Sequence, residues 1–132
     1  MLFRSVGLKD FAPLRLILPG GQNARRTLIE TYLVSNTIPV ERTLELDAML
    51  GTLDFVANSD WVTILPGIMM VSDVERPRLT INPIVDPGLT VELVLIEPSR
   101  RVLSPAAKAF VDTLQNETER LNTVWNAYIE PQ

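Results

Sequence analysis

Two short apolar runs, each stopped by a proline, constrain this chain more than any other feature. Leu14-Arg15-Leu16-Ile17-Leu18 lies between Pro13 and Pro19, and Trp61-Val62-Thr63-Ile64-Leu65 ends at Pro66-Gly67. Proline has no N–H to give to a strand ladder, so each run predicts a strand with fixed ends. Between them the apolar residues switch from strand to helix period and back. Gly20-Gly21-Gln22-Asn23 is turn and cap chemistry, followed by Leu28, Ile29, Tyr32 and Leu33 at helical spacing.

After Asn36 and Pro39, Val40 to Leu46 alternates, with Val40, Leu44 and Leu46 on one face and Arg42 as the exception, which reads as a second strand. Asp47 is expected to N-cap a helix whose apolar face is Met49, Leu50, Leu53, Val56 and Ala57. Gly51 weakens that helix by about 1 kcal/mol relative to Ala and would permit a close approach to a sheet. The nearly continuous apolar run from Trp61 to Leu65 is what a parallel strand covered on both faces requires. A strand, helix, strand, helix, strand series predicts an α/β fold with a mainly parallel sheet and right-handed crossovers.

Beyond Gly67 the pattern loosens. Pro66 to Pro77 reads as irregular or briefly helical around Met69-Met70-Val71. Leu79 to Val85 and Leu89 to Ile96 read as strands separated by the turn Asp86-Pro87-Gly88. Ser104-Pro105 is N-cap plus first residue of a long helix carrying Phe110, Leu114, Leu121 and Trp125 on one stripe.

The 132 residues, 46% apolar, are enough for one globular domain with a sizeable core. Formal charge is -4 with no Lys/Arg cluster, which argues against direct contact with nucleic acid, because that contact relies on phosphate neutralisation. Cys and His are both absent, removing disulfides, thiolate nucleophiles, imidazole bases and the usual zinc sites. No Ser-x-x-Lys pair occurs and Lys is present only at Lys9 and Lys108, so no residue set offers nucleophilic catalysis. The N-terminus carries no signal-peptide pattern and no run approaches the roughly 18 apolar residues of a membrane span. Together these features predict a cytoplasmic, non-enzymatic protein with no cofactor, no metal and no membrane contact.

In parallel α/β sheets ligands sit beyond the carboxyl ends of the strands, which directs attention to Pro19 to Arg26. Gly20-Gly21-Gln22-Asn23-Ala24-Arg25-Arg26 joins a strand end to a helix start, where free N–H groups and the helix dipole favour a small anion such as a carboxylate. It lacks the Gly-Lys-Ser/Thr ending of a P-loop and the G-x-G-x-x-G dinucleotide fingerprint, so an ordinary turn with solvated arginines stands beside a ligand site. Glu41 and Glu45 on one strand face would stand about 13 Å apart, at roughly 3.3 Å per residue, too far for a glycosidase pair and consistent with surface salt bridges. Asp60 and Trp61 offer a polar group and an aromatic wall, or simply packing at a sheet edge.

The order of elements, with Arg25-Arg26 on a helix, Glu45-Leu46-Asp47 leading into the next, Val56 through Pro66, Pro83-Ile84, and Arg101-Val102-Leu103-Ser104-Pro105-Ala106-Ala107-Lys108-Ala109-Phe110, resembles the effector-binding domain of LysR-type transcriptional regulators over roughly residues 8 to 126. The Leu-Ser-Pro-Ala-Ala-x-x-Phe segment and the Ile-Leu-Pro strand end are the most specific parts. Where the family often has Gly-x-Gly before its Ile-x-x-Leu-Pro strand, this chain has Asn58-Ser59-Asp60-Trp61.

The resemblance implies a periplasmic-binding-protein-like (type II) fold with its first lobe incomplete. Residues 12–80 would form the second lobe, and residues 81–132 the return crossover, strand and C-terminal helix that normally complete the first. No DNA-binding domain is expected within this chain. The implied function is sensing: a small organic acid or similar metabolite, held at Pro19, Gly20, Gly21 and Gln22, would control DNA binding by a winged helix-turn-helix elsewhere. A stand-alone solute-binding or interaction module of the same lobed fold, or less plausibly a small carboxylate-based enzyme, are the alternative readings. Apolar faces at Leu89 to Ile96 and Ser104 to Trp125 would lack a first-lobe partner, so a homo-oligomer is expected.

Overall fold

The computed structural model describes residues 5–74 and 78–129. A 3-10 turn at Leu8–Phe11 leads into β1 (Leu14–Leu18), α1 (Ala24–Ser35), β2 (Val40–Glu45), α2 (Met49–Ala57) and β3 (Val62–Thr63), followed by a single-turn α3 (Gly67–Met70) and a long α4 (Pro105–Ile129). The alternation predicted for the first half is therefore present, and its strands form one three-stranded parallel sheet of order β2-β1-β3.

β1 is the central strand and carries the core. Leu16 and Ile17 are 0% and 1% exposed on opposite faces of the pleat. On one face Leu14, Leu16 and Leu18 pack with Ile29, Tyr32 and Leu33 of α1 and with Ile38. On the other face Ile17 lies on the side of α2, near Met49 and Thr52. The crossover from β1 to β2 and the crossover from β2 back past β1 to β3 run in opposite directions, so right-handed connections put their helices on opposite faces.

α1 begins as its sequence requires. Asn23 is in an extended conformation and its side chain accepts from the Arg25 N–H. The helix ends in a Schellman arrangement, with the Thr37 N–H donating to the Val34 carbonyl and the Ile38 N–H to the Leu33 carbonyl, while Leu33 and Ile38 meet in the core. Thr37 takes the left-handed position of that motif at φ 54°, where a β-branched residue is strained. Ser104 likewise caps α4, its Oγ accepting from the Ala107 N–H at 3.2 Å.

Four expectations for the first half need correction. Asp47 does not cap α2; the cap position is Ala48, which makes no side-chain hydrogen bond, because the Asp47 carboxylate is taken by Gly20. Leu50 points away from the sheet at 82% exposure and Thr52 is buried instead, so the apolar face of α2 is narrower than its spacing suggested. A Cβ on Gly51 would meet only ordinary contacts at 3.6 and 3.9 Å, so the close approach open to that glycine is not used. The run Trp61 to Leu65 yields only a two-residue edge strand with Val62 exposed, because β3 pairs on one side only. Trp61 is a packing residue there, edge-on to Phe55 at 6.0 Å.

The largest difference lies in the second half. Leu79 to Val85 and Leu89 to Ile96 are not strands; among the described residues their only ladder element is an isolated parallel bridge between Val6 and Ile84. Among the described residues no neighbouring strand lies beside residues 89–96 to accept their hydrogen bonds, and a strand without a partner does not form. The turn at Asp86-Pro87-Gly88 does form, with a cis Asp86–Pro87 bond, and it is anchored to the core by the Tyr32 hydroxyl donating to the Pro87 carbonyl at 2.6 Å. Burial pushes the Tyr32 phenol above its ordinary pKa. Ile84 and Leu89 complete this attachment against the α1 cluster.

The stripe expected on α4 is only partly used. Trp125 sits so close to α3 that a Cβ on Gly67 would collide with its indole, so the Gly of the Pro66-Gly67 stop is what admits the helix. Leu121 is half-buried, but Phe110 and Leu114 are exposed.

Replacing Thr37 by Gly is expected to raise stability by about 0.5–1 kcal/mol: relief of the ~1–2 kcal/mol left-handed penalty, less the ~0.4–1 kcal/mol of extra freedom in the unfolded glycine. A urea midpoint that rises at unchanged slope is the expected reading, and a fall would contradict this account of the helix end.

Candidate functional site

The carboxyl ends of the strands converge on a cavity of about 170 Å³ lined by Ile17, Leu18, Pro19, Arg25, Leu46, Asp47, Met49, Thr52, Thr63, Leu65 and Met69. Its position follows from topology. The chain leaves β1 toward one face and β2 toward the other, and the strand ends separate between those departures.

Two contacts hold the separated ends. The Leu46 N–H donates to the Leu18 carbonyl at 2.9 Å, prolonging the ladder by one bond. One residue further, the Gly20 N–H donates to Oδ1 of Asp47 at 2.8 Å. Gly20 is needed at this approach, since a Cβ there would stand 2.9 Å from Asp47 Oδ2. The Thr63 hydroxyl donates to the Ile17 carbonyl at 3.0 Å and ties β3 to the same layer.

Charges sort into two groups. Arg26 is structural: it pairs with Glu30 at 2.8 Å and Glu45 at 2.6 Å and also donates to the Pro19 carbonyl, pinning α1 over the ends of β1 and β2. Arg15 donates to both Glu41 and Asp60, which ties the three strands together away from the cavity. The Arg15 hydrogen bond holds Glu41 below the usual carboxylate range. Glu41 and Glu45 are thus surface salt-bridge partners, as their spacing suggested. Arg25 differs. Its Nε–H is closed off from solvent and has no hydrogen-bond partner, although the residue lines the cavity.

Of the residues singled out in the sequence, Pro19 is buried and lines the cavity, and Gly20 forms its bridge to Asp47. Gly21 and Gln22 lie in the exposed turn before α1, and a side chain on Gly21 would meet open space. Sequence reading missed the roles of Asp47, Thr63 and Arg25. Asp47 looked like a cap, Thr63 like strand filling, and Arg25 like a solvated charge.

A second, wider groove of about 570 Å³ runs along α1 and β2, lined mainly by apolar residues including Leu33, Val34, Pro39 and Val40. Neither cavity is lined by a pair of carboxylates; Asp47 is alone in the first and Glu30 in the second. A two-carboxylate hydrolytic mechanism has no partner residues at either place. Among the described residues no group of His, Cys, Asp or Glu could hold a metal ion. No helix among them is long and apolar enough to cross a membrane.

The fold and the strand-end cavity together define a parallel α/β module with a cleft at the carboxyl ends of its strands. The family described as the LysR substrate binding domain matches residues 3–119, and the chain belongs to that family. Its type II periplasmic-binding-protein-like architecture agrees with the parallel sheet seen here, and the family is regulatory rather than enzymatic. No curated protein and no solved structure matches the chain.

Removal of the bridge between the strand ends should be measurable. Asp47→Ala and Gly20→Ala are each expected to cost about 1 kcal/mol, the worth of one hydrogen bond. Because both act on the same contact, the double variant should cost clearly less than the sum in denaturant unfolding. Additive losses would mean that the two residues are not coupled.

Proposed function

We propose that this chain is the effector-sensing part of a LysR-type transcriptional regulator, responding to a small organic acid or similar metabolite at the Pro19, Gly20, Gly21 and Gln22 strand end. The observation that carries the proposal is the cavity at the carboxyl ends of β1 and β2 in a chain belonging to this family. Membership supports effector binding in general, and the cavity supports this end of the sheet. Residues 12–80, containing the sheet, act as the ligand-bearing lobe, and residues 81–132 belong to the neighbouring lobe of the same architecture. The effector biases an existing equilibrium between arrangements of the lobes, by no more than its differential affinity for them, and so controls DNA binding by a winged helix-turn-helix that is not part of residues 1–132. Such a protein works in the cytoplasm.

We also propose self-association. Leu93, Val94 and Ile96 are 74%, 76% and 88% exposed and Phe110 is 68% exposed, so the segments assigned to the neighbouring lobe present apolar surface. Surfaces of that kind recruit other chains.

For the ligand, thermal unfolding against a panel of small carboxylates is expected to show a rise in melting temperature for at least one compound. Gly21→Trp, whose side chain has room to form, should abolish or reduce it. A shift that is unchanged in Gly21→Trp would remove the assignment to Pro19–Gln22. For assembly, light scattering should report a mass above that of one chain at micromolar concentration, and a monodisperse monomer throughout that range would refute self-association.

A further inference from the structure

The lining of the strand-end cavity carries two charged side chains of opposite sign, Arg25 and Asp47, among apolar and hydroxyl-bearing residues. Among the described residues neither takes part in an ion pair. The Arg25 Nε–H is shut off from the cavity as well as from solvent, so the terminal N–H groups of the guanidinium are the donors Arg25 brings to the lining. Arg25 is not absorbed into the surface ion pairs that occupy its neighbour Arg26. Asp47 uses Oδ1 to accept from Gly20, and a carboxylate has further lone pairs on its second oxygen. Thr63 spends its hydroxyl proton on the Ile17 carbonyl, so toward the cavity its oxygen can only accept.

A simple anion engages only part of this lining. A carboxylate placed on Arg25 in so small a space would share it with the Asp47 carboxylate and the acceptor face of Thr63. A ligand with an anionic end for Arg25 and a cationic donor for Asp47 and Thr63 leaves no charge unmatched. At ~30 Å³ per water the cavity has room for about six waters, the scale of a small metabolite. Met49, Leu65 and Met69 give it an apolar end for a side chain.

We infer that the cavity recognises a small α-amino acid, with its carboxylate on Arg25 and its ammonium on Asp47 and Thr63. This rests on the sensor reading above and narrows its ligand class from organic acids in general to zwitterions. Arg25, Asp47 and Thr63 become the residues that set specificity, while Pro19 and Gly20 form the wall.

Matched trios test it by titration calorimetry on the whole chain: L-valine against isovalerate and isobutylamine, and L-serine against 3-hydroxypropionate and ethanolamine. One amino acid is expected to bind at least about tenfold more tightly than both of its truncated partners, the effect of losing a charge-assisted hydrogen bond. Asp47→Asn keeps an oxygen for the Gly20 N–H, so the fold is retained, and it should erase the preference for the amino acid over the matching acid. Arg25→Met should lose binding of both, with unchanged circular dichroism. Equal binding of acid and amino acid, or a preference that survives Asp47→Asn, overturns the zwitterion assignment and leaves a carboxylate sensor standing. Absence of binding by every member of both trios also overturns it. The sensor reading itself falls only if the wider carboxylate panel is silent as well.

Discussion

Everything in this protein is arranged around the burial of one five-residue strand. β1 contributes Leu16 and Ile17 to opposite faces and is paired on both edges, and all of its residues but Arg15 are buried. Full burial of such side chains is worth about 1.5–3 kcal/mol each, and it requires a helix on each face. The two crossovers supply those helices by leaving the sheet in opposite directions. That same requirement opens the gap at the strand ends, so the cavity is a by-product of covering β1 twice.

The gap is held rather than closed. Asp47 reaches across to the Gly20 amide, and Arg26 locks α1 to the ends of both strands. These contacts fix the walls of a cavity that Arg25 and Asp47 both line. An acidic residue diverted from helix capping to strand-end bridging leaves α2 uncapped by any side chain. Local helix stability is lost and a bridge between the separated strand ends is gained.

The second half of the chain obeys a weaker version of the same logic. Its attachments include Tyr32 holding the turn at Pro87, the Val6–Ile84 bridge and Trp125 seated over Gly67. Between these anchors residues 91–96 are exposed and unpaired, despite apolar and β-branched side chains. Propensity for a strand is present there, but the partner is not.

The sequence by itself determined the order and most boundaries of β1, α1, β2 and α2, the Asn23 and Ser104 caps and the turn at Asp86-Pro87-Gly88, because each follows from signals between residues close in the chain. It also pointed to the end of the sheet where the strand-end cavity lies, since topology alone places cavities there. Tertiary structure decided which segments became strands at all: Leu89 to Ile96 has the pattern but no ladder, and Trp61 to Leu65 keeps only its two paired residues. It also decided that Asp47 serves Gly20, that Arg26 is tied down and that Arg25 lines the cavity. Those roles depend on contacts between residues far apart in the chain, and neither a strand ladder nor a polar pocket exists until both sides of it are in place.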